Sequence, residues 1–436
     1  MSKPLKIALA GLGTVGAGVI RLLEENAALV TARAGRKLEI VSVSARDRNR
    51  DRGVDLSAYD WVDDMTAMAQ SDDIDVVVEL VGGADGPALT LARSTIAKGK
   101  SLVTANKAMI AHHGMELAAA AENSGAALKF EAAVAGGIPV VKGLREGTAA
   151  NAIEHIYGVL NGTANYILSA MEESGADFAA TLSEAQKLGY AEADPTFDVE
   201  GVDAAHKLAI LASIAFGART DFEAVVCEGI GRVRAADIAQ ADALGYVIRL
   251  IGTADVETGK DGSRALLQTV KPCLVPKGHP LSHVTGPTNA VVAEGNFSGR
   301  LLFQGAGAGD GPTASAVVAD LIDIARGETG PAFSVATGHL ESLPPAEVGH
   351  RTGQTYLRFT VTDRPGVLAE ITAAMRDAEV SIESLIQQGQ ANDDGEVLVA
   401  MVTHDGPERG VTKAVALLEN SASLTSPPLV MKILES

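Results

Sequence analysis

Leu5-Lys-Ile-Ala-Leu-Ala10, followed by Gly11-Leu-Gly13-Thr14-Val15-Gly16-Ala-Gly18, is the stretch that decides the fold. Leu5 to Ala10 is a short apolar run and reads as a buried strand. Gly11 to Gly18 is a glycine-rich turn. From Val15 to Val30 apolar residues recur at helical spacing through Val19, Leu22 and Leu23. G-x-G-x-x-G is a weak pattern by itself, but between a strand and a helix it marks a dinucleotide-binding turn. Gly11 permits the tight turn, Gly13 lets backbone N–H groups reach a pyrophosphate, and Gly16 lets the helix pack closely on the strand. The helix N-terminus adds a favourable partial charge for the anion. The bland alternative is a tight turn with no ligand.

Outward from this turn, strand and helix patterns alternate. Leu38 to Ser44 and Asp75 to Val81 read as strands, the second apolar throughout, as a central parallel strand is. Ala88 to Lys98 reads as a helix, Ser101 to Thr104 as a strand, Met109 to Glu122 as a helix and Ala127 to Ala132 as extended chain. Such alternation predicts an α/β fold with a doubly wound, Rossmann-like parallel sheet over residues 1–135. Leu301 to Arg326 holds a glycine-rich stretch and then a helix, expected to return and complete this domain over 305–335. Residues 136–304 read as an α+β catalytic domain, with helices at Asn165–Glu173, Leu182–Leu188 and Val202–Ala215 and short β-like pieces at Glu154–Leu160 and Ala265–Val270. Residues 341–353 read as a linker. Residues 354–436 give β-α-β-β-α-β, a ferredoxin-like arrangement.

The second strand ends Val43-Ser44-Ala45-Arg46. A cation at that point suits a 2′-phosphate, which favours NADP, while the adjacent Asp47 keeps NAD open. Arg46 also reads as an ordinary solvated charge.

Composition narrows the partners. The 436 residues carry a formal net charge of −19, which repels nucleic acid and anionic membranes. Cys227 and Cys273 are the two cysteines, too few for a disulfide framework, and they fit a reducing compartment. No signal segment or membrane-length apolar run stands out, so a cytoplasmic location is expected.

Gly189-Tyr-Ala-Glu192-Ala-Asp194-Pro-Thr-Phe-Asp198-Val-Glu200-Gly-Val-Asp203-Ala-Ala-His206-Lys207 is the densest polar segment of the middle domain. Pro195 and Gly201 place its first part in a loop. Asp203 and Lys207 stand at i, i+4 and share one helix face. In a cleft, a carboxylate beside an ammonium can orient a substrate hydroxyl and pass its proton; on a surface it is a weak ion pair. Thr104-Ala-Asn106-Lys107 follows a parallel strand and so lies at the carboxyl edge, where a nicotinamide arrives. Asn161-Gly162-Thr163 ends a strand and opens a helix, a natural cradle for a carboxylate. Lys107 alone reads equally as a surface charge, and Asn161-Gly162 as a plain turn.

Taken together these segments resemble homoserine dehydrogenase over the whole chain, with Glu131-Ala-Ala-Val-Ala-Gly-Gly-Ile-Pro139 and Gly305-Ala-Gly-Ala-Gly309 in the same order. The resemblance implies reversible, NAD- or NADP-dependent oxidation of L-homoserine to L-aspartate 4-semialdehyde. It implies Lys207 as the acid–base residue, with Lys107 and Asp203 beside it. Glu192, Asp203, Asp198, Gly162 and Thr163 would hold the substrate. Gly11, Gly13, Thr14, Val15, Gly16, Arg46, Thr104, Lys107, Gly189 and Gly309 would line the cofactor. Glu131 and the backbone of Val134, Gly136 and Ile138 would hold a monovalent cation, sodium by expectation. Asp363-Arg-Pro-Gly366-Val-Leu is similar to the opening of an ACT domain, which implies control by an amino-acid effector, L-threonine by expectation. The other reading of that domain is a module that pairs with a second copy through its sheet edge. A homodimer or homotetramer is expected. Thiol-dependent semialdehyde chemistry is one rival reading, but neither cysteine has a catalytic-looking context; the other is a non-catalytic nucleotide-sensing regulator, which would not need Glu192, Asp203 and Lys207.

Overall fold

The structure, a computed structural model, describes residues 3–347, 349, 351–388 and 396–435. Six parallel strands form the N-terminal sheet in the order Asp60–Trp61, Leu38–Ser44, Leu5–Ala10, Val76–Glu79, Ser101–Thr104, Leu128–Lys129. Counted along the chain this is 3-2-1-4-5-6, the doubly wound dinucleotide order, and it reverses beside the first strand. Val76, Val77 and Val78 are fully buried because helices cover both faces, which explains the unbroken apolar run. The first helix is shorter than its spacing predicts. It runs Thr14–Glu25, and after Asn26 (φ −102°, ψ 17°) a second helix takes Ala27–Ala34.

Helix Asp310–Arg326 returns to this sheet, as expected, and packs Val317 and Leu321 into the core of Ile7, Leu9, Val19 and Ile20. It meets the first helix at Gly18, where any side chain would overlap Asp310, and Arg21 pairs with Asp310.

The middle of the chain builds a mixed sheet whose strands the sequence patterning shows only in part, at Glu154–Leu160 and Ala265–Val270. Tyr246–Thr258 and Arg264–Pro276 pair antiparallel over their whole lengths. The first is buried on both faces along much of its length, so it shows no period-two alternation. Beside it lie Ile153–Val159, Thr288–Gly295 and the outer strand Gly299–Ala306. Helix Val202–Phe216 lies against this sheet, buried from Asp203 to Ile214 on every face, as a central helix is.

The C-terminal module has the expected order: strand Thr355–Thr362, helix Val367–Asp377, strands Ile382–Gln388 and Glu396–Thr403, helix Glu408–Leu418 and strand Leu424–Ile433. Its sheet does not stand apart. The last strand pairs with Arg264–Pro276 through Cys273↔Lys432 and Leu274↔Ile433, so both sheets form one ten-stranded surface. Nor does the composition-defined linker run free. Glu341 N–H donates to Gly217 O (2.9 Å), and Ala346 N–H to Leu266 O (3.0 Å). The parts of that linker at Val348 and His350 lie outside the described residues. Among the described residues no helix is long and apolar enough to cross a membrane.

Candidate active site

The glycine turn sits where its sequence predicts, at the carboxyl edge of the first strand. Gly11 (φ +102°) passes so close to the neighbouring strand that a Cβ would lie 2.6 Å from Leu80 O. A Cβ at Gly16 would overlap Gly11 O, which is the close helix–strand packing a glycine allows. Gly13 faces open space and, with Thr14, is exposed at the helix N-terminus. Two tight glycines and one open one leave a cradle in which backbone N–H groups can meet a pyrophosphate. Val15 is half-buried in the first helical turn.

Beyond the second strand, Arg46 is exposed. Sequence reasoning missed its neighbours. Arg52 Nε donates to Leu12 O inside the glycine turn (2.9 Å), and Arg48 and Arg52 stand 5.7 and 5.9 Å from the centre of the Trp61 ring. Alternate positions 46, 48, 50 and 52 are all arginine, the signal that could have been read. Thr104 is fully buried: its hydroxyl donates to Glu79 (2.6 Å) and accepts from Asn106 N–H (2.9 Å). Glu79, hidden in an apolar run, also accepts from Val81 and Gly82 N–H, shaping the loop opposite the glycines.

Helix Lys107–Ser124 starts at this same edge, capped by Asn106, which accepts from Met109 N–H. Its first residue reaches across to the central helix of the middle domain. Lys107 Nζ lies 2.8 Å from Asp203 Oδ1, and Lys207 Nζ lies 2.7 Å from Asp203 Oδ2. Lys207 Nζ also donates to Leu160 O (2.7 Å). Asn161 closes the group, its amide donating to both Asp198 (2.7 Å) and Asp203 (2.8 Å) while its oxygen caps helix Gly162–Ser174 at Ala164 N–H. Asn161 lay in a recognised motif, and its side chain proves to be a hub of the site. The Asn289 amide, oriented as its neighbours require, donates to the same Leu160 carbonyl and accepts from Gly162 N–H.

Burial sets the electrostatics. The side chains of Lys207 and Asp203 are 10% and 7% exposed. Loss of water pushes Lys207 below its ordinary pKa, against the pull of Asp203 and with help from Lys107. The same burial disfavours the Asp203 carboxylate, but the two ammonium groups outweigh it and hold Asp203 well below the usual range. An ammonium has three donors. Two of Lys207's are used, which leaves one direction for a substrate oxygen. His206, stacked on Phe222 at 4.2 Å and facing His112 at 3.3 Å, is lowered to about 4 by burial, His112 and Lys107.

The structure therefore joins Lys107, Asp198, Asp203 and Lys207 and sets Gly162 and Thr163 beside them. It does not bring the Glu192 carboxylate onto this cluster. Glu192 is exposed on the loop after Gly189 (φ +80°), which docks through Thr163 Oγ1 donating to Tyr190 O (3.0 Å). Gly309 (φ +128°) precedes the returning helix at an exposed turn.

Glu131 is buried, and its two oxygens accept from Val141 N–H (3.0 Å) and Lys142 N–H (2.8 Å). Burial and the nearby Asp320 push its carboxyl up to about 7. The chain then turns through Ala135 (φ +55°) and Gly136 (φ +53°), and Gly136 packs against Gly307 O, leaving no room for a Cβ. Ile138 O accepts from Val140 N–H (2.7 Å). Among the described residues no group of three or more His, Cys, Asp or Glu is arranged for a metal.

A doubly wound dinucleotide fold whose carboxyl edge meets a buried lysine–carboxylate cluster defines a dinucleotide-dependent oxidoreductase. Three family profiles match: homoserine dehydrogenase, NAD binding domain, at residues 11–131; homoserine dehydrogenase at 139–322; and ACT domain at 355–420. The homoserine dehydrogenase of Pseudomonas aeruginosa is 43% identical, covering 99% of both chains. A crystal structure of a homoserine dehydrogenase from Thiobacillus denitrificans superposes with a TM-score of 0.92 at 40% identity over 99% of both chains. A hyperthermophilic archaeal homoserine dehydrogenase in complex with NADPH gives a TM-score of 0.62 at 25% identity, over 74% of this chain and 97% of the other. The chain belongs to the homoserine dehydrogenase family.

Proposed function

We propose that the chain catalyses the reversible oxidation of L-homoserine to L-aspartate 4-semialdehyde, with Lys207 as the acid–base residue. The observation that carries this reading is the pair of hydrogen bonds from Lys207 Nζ to Leu160 O and Asp203. When the amine is neutral those bonds use both its N–H groups and turn its lone pair into the site, ready for the hydroxyl proton. When it is protonated, the third N–H points the same way, ready for the aldehyde oxygen. Burial lowers the Lys207 pKa, which favours the neutral form more than in a solvated lysine. Asp203 and Lys107 hold the geometry. Asp198 and the helix opening at Gly162 and Thr163 would hold the substrate's charged ends.

A nicotinamide dinucleotide supplies the redox chemistry when bound. Gly11, Gly13, Thr14, Val15 and Gly16 would hold its pyrophosphate, with Thr104, Gly189 and Gly309 around it. NADP is preferred in this reading, because Arg46, Arg48 and Arg52 crowd the end of the second strand. A monovalent cation, sodium by preference, fits the buried Glu131 and the turn at Val134, Gly136 and Ile138, where it would balance charge and brace the loop. The ACT domain would sense an amino acid, L-threonine first, in service of threonine and methionine biosynthesis in the cytoplasm. Assembly as a homodimer or homotetramer is supported by the outer strand Gly299–Ala306, where Leu302 is 42% exposed, and by Phe297, 89% exposed at its hairpin tip.

The test is consumption of NADPH and NADH with L-aspartate 4-semialdehyde, with and without L-threonine. Turnover that prefers NADPH and falls with threonine is expected. No turnover from folded protein supplied with sodium would overturn the substrate assignment.

A further inference from the structure

Strand Val76–Glu79 ends on a carboxylate at the carboxyl edge of the N-terminal sheet, directly after three buried valines. Glu79 is 0% exposed. Its Oε1 accepts from Val81 N–H (2.7 Å) and Gly82 N–H (3.0 Å), and its Oε2 from the Thr104 hydroxyl (2.6 Å). Thr104 Oγ1 in turn accepts from Asn106 N–H, so its own proton goes to Glu79. All three contacts therefore donate, an arrangement that suits an anion. No described Lys, Arg or His is ion-paired with it. Lys107, at the same sheet edge, pairs with Asp203 instead (2.8 Å).

Buried charges are costly and are ordinarily paired, so this carboxylate lacks a counter-ion within the chain. Its place in the fold supplies one. The strand order reverses beside Leu5–Ala10. Strand Leu38–Ser44, which leads to Arg46, lies on the adenosine side of that point, and Val76–Glu79 with Ser101–Thr104 lies on the side that takes the nicotinamide half of a dinucleotide. The loop after Glu79 abuts the glycine turn, since Leu80 O is the atom that a Cβ on Gly11 would overlap. A nicotinamide ring is a cation when oxidised and neutral when reduced. A fixed negative charge therefore complements one redox form and not the other. Lys107 and Lys207 share Asp203 between them, and a ring that gains positive charge near two lysines is helped by a second fixed anion.

We propose that Glu79 makes the site discriminate between the two redox forms of its cofactor, favouring the oxidised form through charge. The inference rests on the reading of the glycine turn as the dinucleotide site. Lys207 moves the proton in that reading, and Glu79 sets the balance of the bound cofactor.

The experiment is titration calorimetry of the full chain with the oxidised and the reduced forms of NADP and of NAD. Glu79→Gln removes the charge and keeps the shape: its oxygen can accept from Val81 and Gly82 N–H, and its amide can donate to Thr104 Oγ1. The double variant Glu79→Met, Thr104→Val removes the charge and its hydroxyl partner together, which a core tolerates better than the loss of one partner. Thr104→Val alone keeps the charge and loosens the same network. Each charge-removing variant is expected to weaken the oxidised form about tenfold relative to the reduced form, with Thr104→Val changing that ratio by less than about twofold, as one partly screened charge would. An unchanged ratio in the charge-removing variants overturns the proposal. An equal shift in Thr104→Val also overturns it, because the effect then belongs to the packing of the network. No binding of any of the four forms to the native chain overturns the dinucleotide reading itself, and the proposal with it.

Discussion

Lys207 and Asp203 stand one turn apart on a buried helix and meet at 2.7 Å, each almost out of water. Removing one partner of such a pair leaves an uncompensated charge, which costs about 3–5 kcal/mol. Here the effect is sharpened because Lys107 shares the same carboxylate. Asp203→Asn is expected to lose stability of that order in denaturant titrations at pH 7. The folded pKa of Asp203 is depressed, so its contribution is present above the unfolded value, about 3.9, and fades as pH falls through the folded one. A loss under about 1 kcal/mol would mean that water reaches the pair in solution.

His206 adds to the loss of stability in acid, in a higher pH window. Its folded pKa is lowered to about 4 by burial, His112 and Lys107. Between the unfolded pKa of about 6.5 and that value, the unfolded chain takes up a proton and the folded chain does not. Stability therefore falls as pH drops through this window, by at most about 3 kcal/mol at roughly 1.4 kcal/mol per unit. His206→Phe should flatten that slope in melting curves between pH 6.5 and 4. An unchanged slope assigns the acid loss elsewhere.

Asp237 clamps the C-terminal domain to the middle one. Arg358 Nε donates to Asp237 Oδ1 (2.9 Å), Tyr356 OH donates to the same oxygen (3.1 Å), and both Arg358 and Asp237 are buried. Arg358→Met strands the carboxylate and is expected to cost about 3–5 kcal/mol. The double variant with Asp237→Leu should recover most of it, because an apolar pair replaces an ion pair at little cost. Additive losses would show that the two residues do not act together.

Arg46→Ala is expected to lower kcat/KM for NADPH about tenfold while leaving NADH within about twofold, the size of one charge-assisted phosphate contact. Arg52→Ala should act more broadly, since Arg52 also braces the glycine turn at Leu12. Equal effects of Arg46→Ala on the two cofactors would place its charge away from the 2′ position.

Much of this was legible in the sequence, for identifiable reasons. The first strand, the glycine turn and the parallel alternation are local patterns with a fixed period. Asp203 and Lys207 were legible because i, i+4 spacing is a property of the helix alone. The long strand Tyr246–Thr258 was hidden, since burial on both faces removes the alternation that marks a strand, and of Arg264–Pro276 only Ala265–Val270 read as β-like. Asn161 and Leu160 O gain their roles only when a strand end and a distant helix meet. The union of the ACT sheet with the catalytic sheet rests on pairing between Cys273 and Lys432, which leaves no trace in either segment.

Turnover of Lys207→Ala with L-homoserine, measured alongside its dinucleotide binding by fluorescence, decides whether Lys207 is the proton-transfer group. Cofactor affinity within about twofold of native and turnover reduced by about 10²–10⁴, the usual share of a general acid–base group, are expected. Turnover within tenfold of native, from protein that is folded and binds cofactor, contradicts that role.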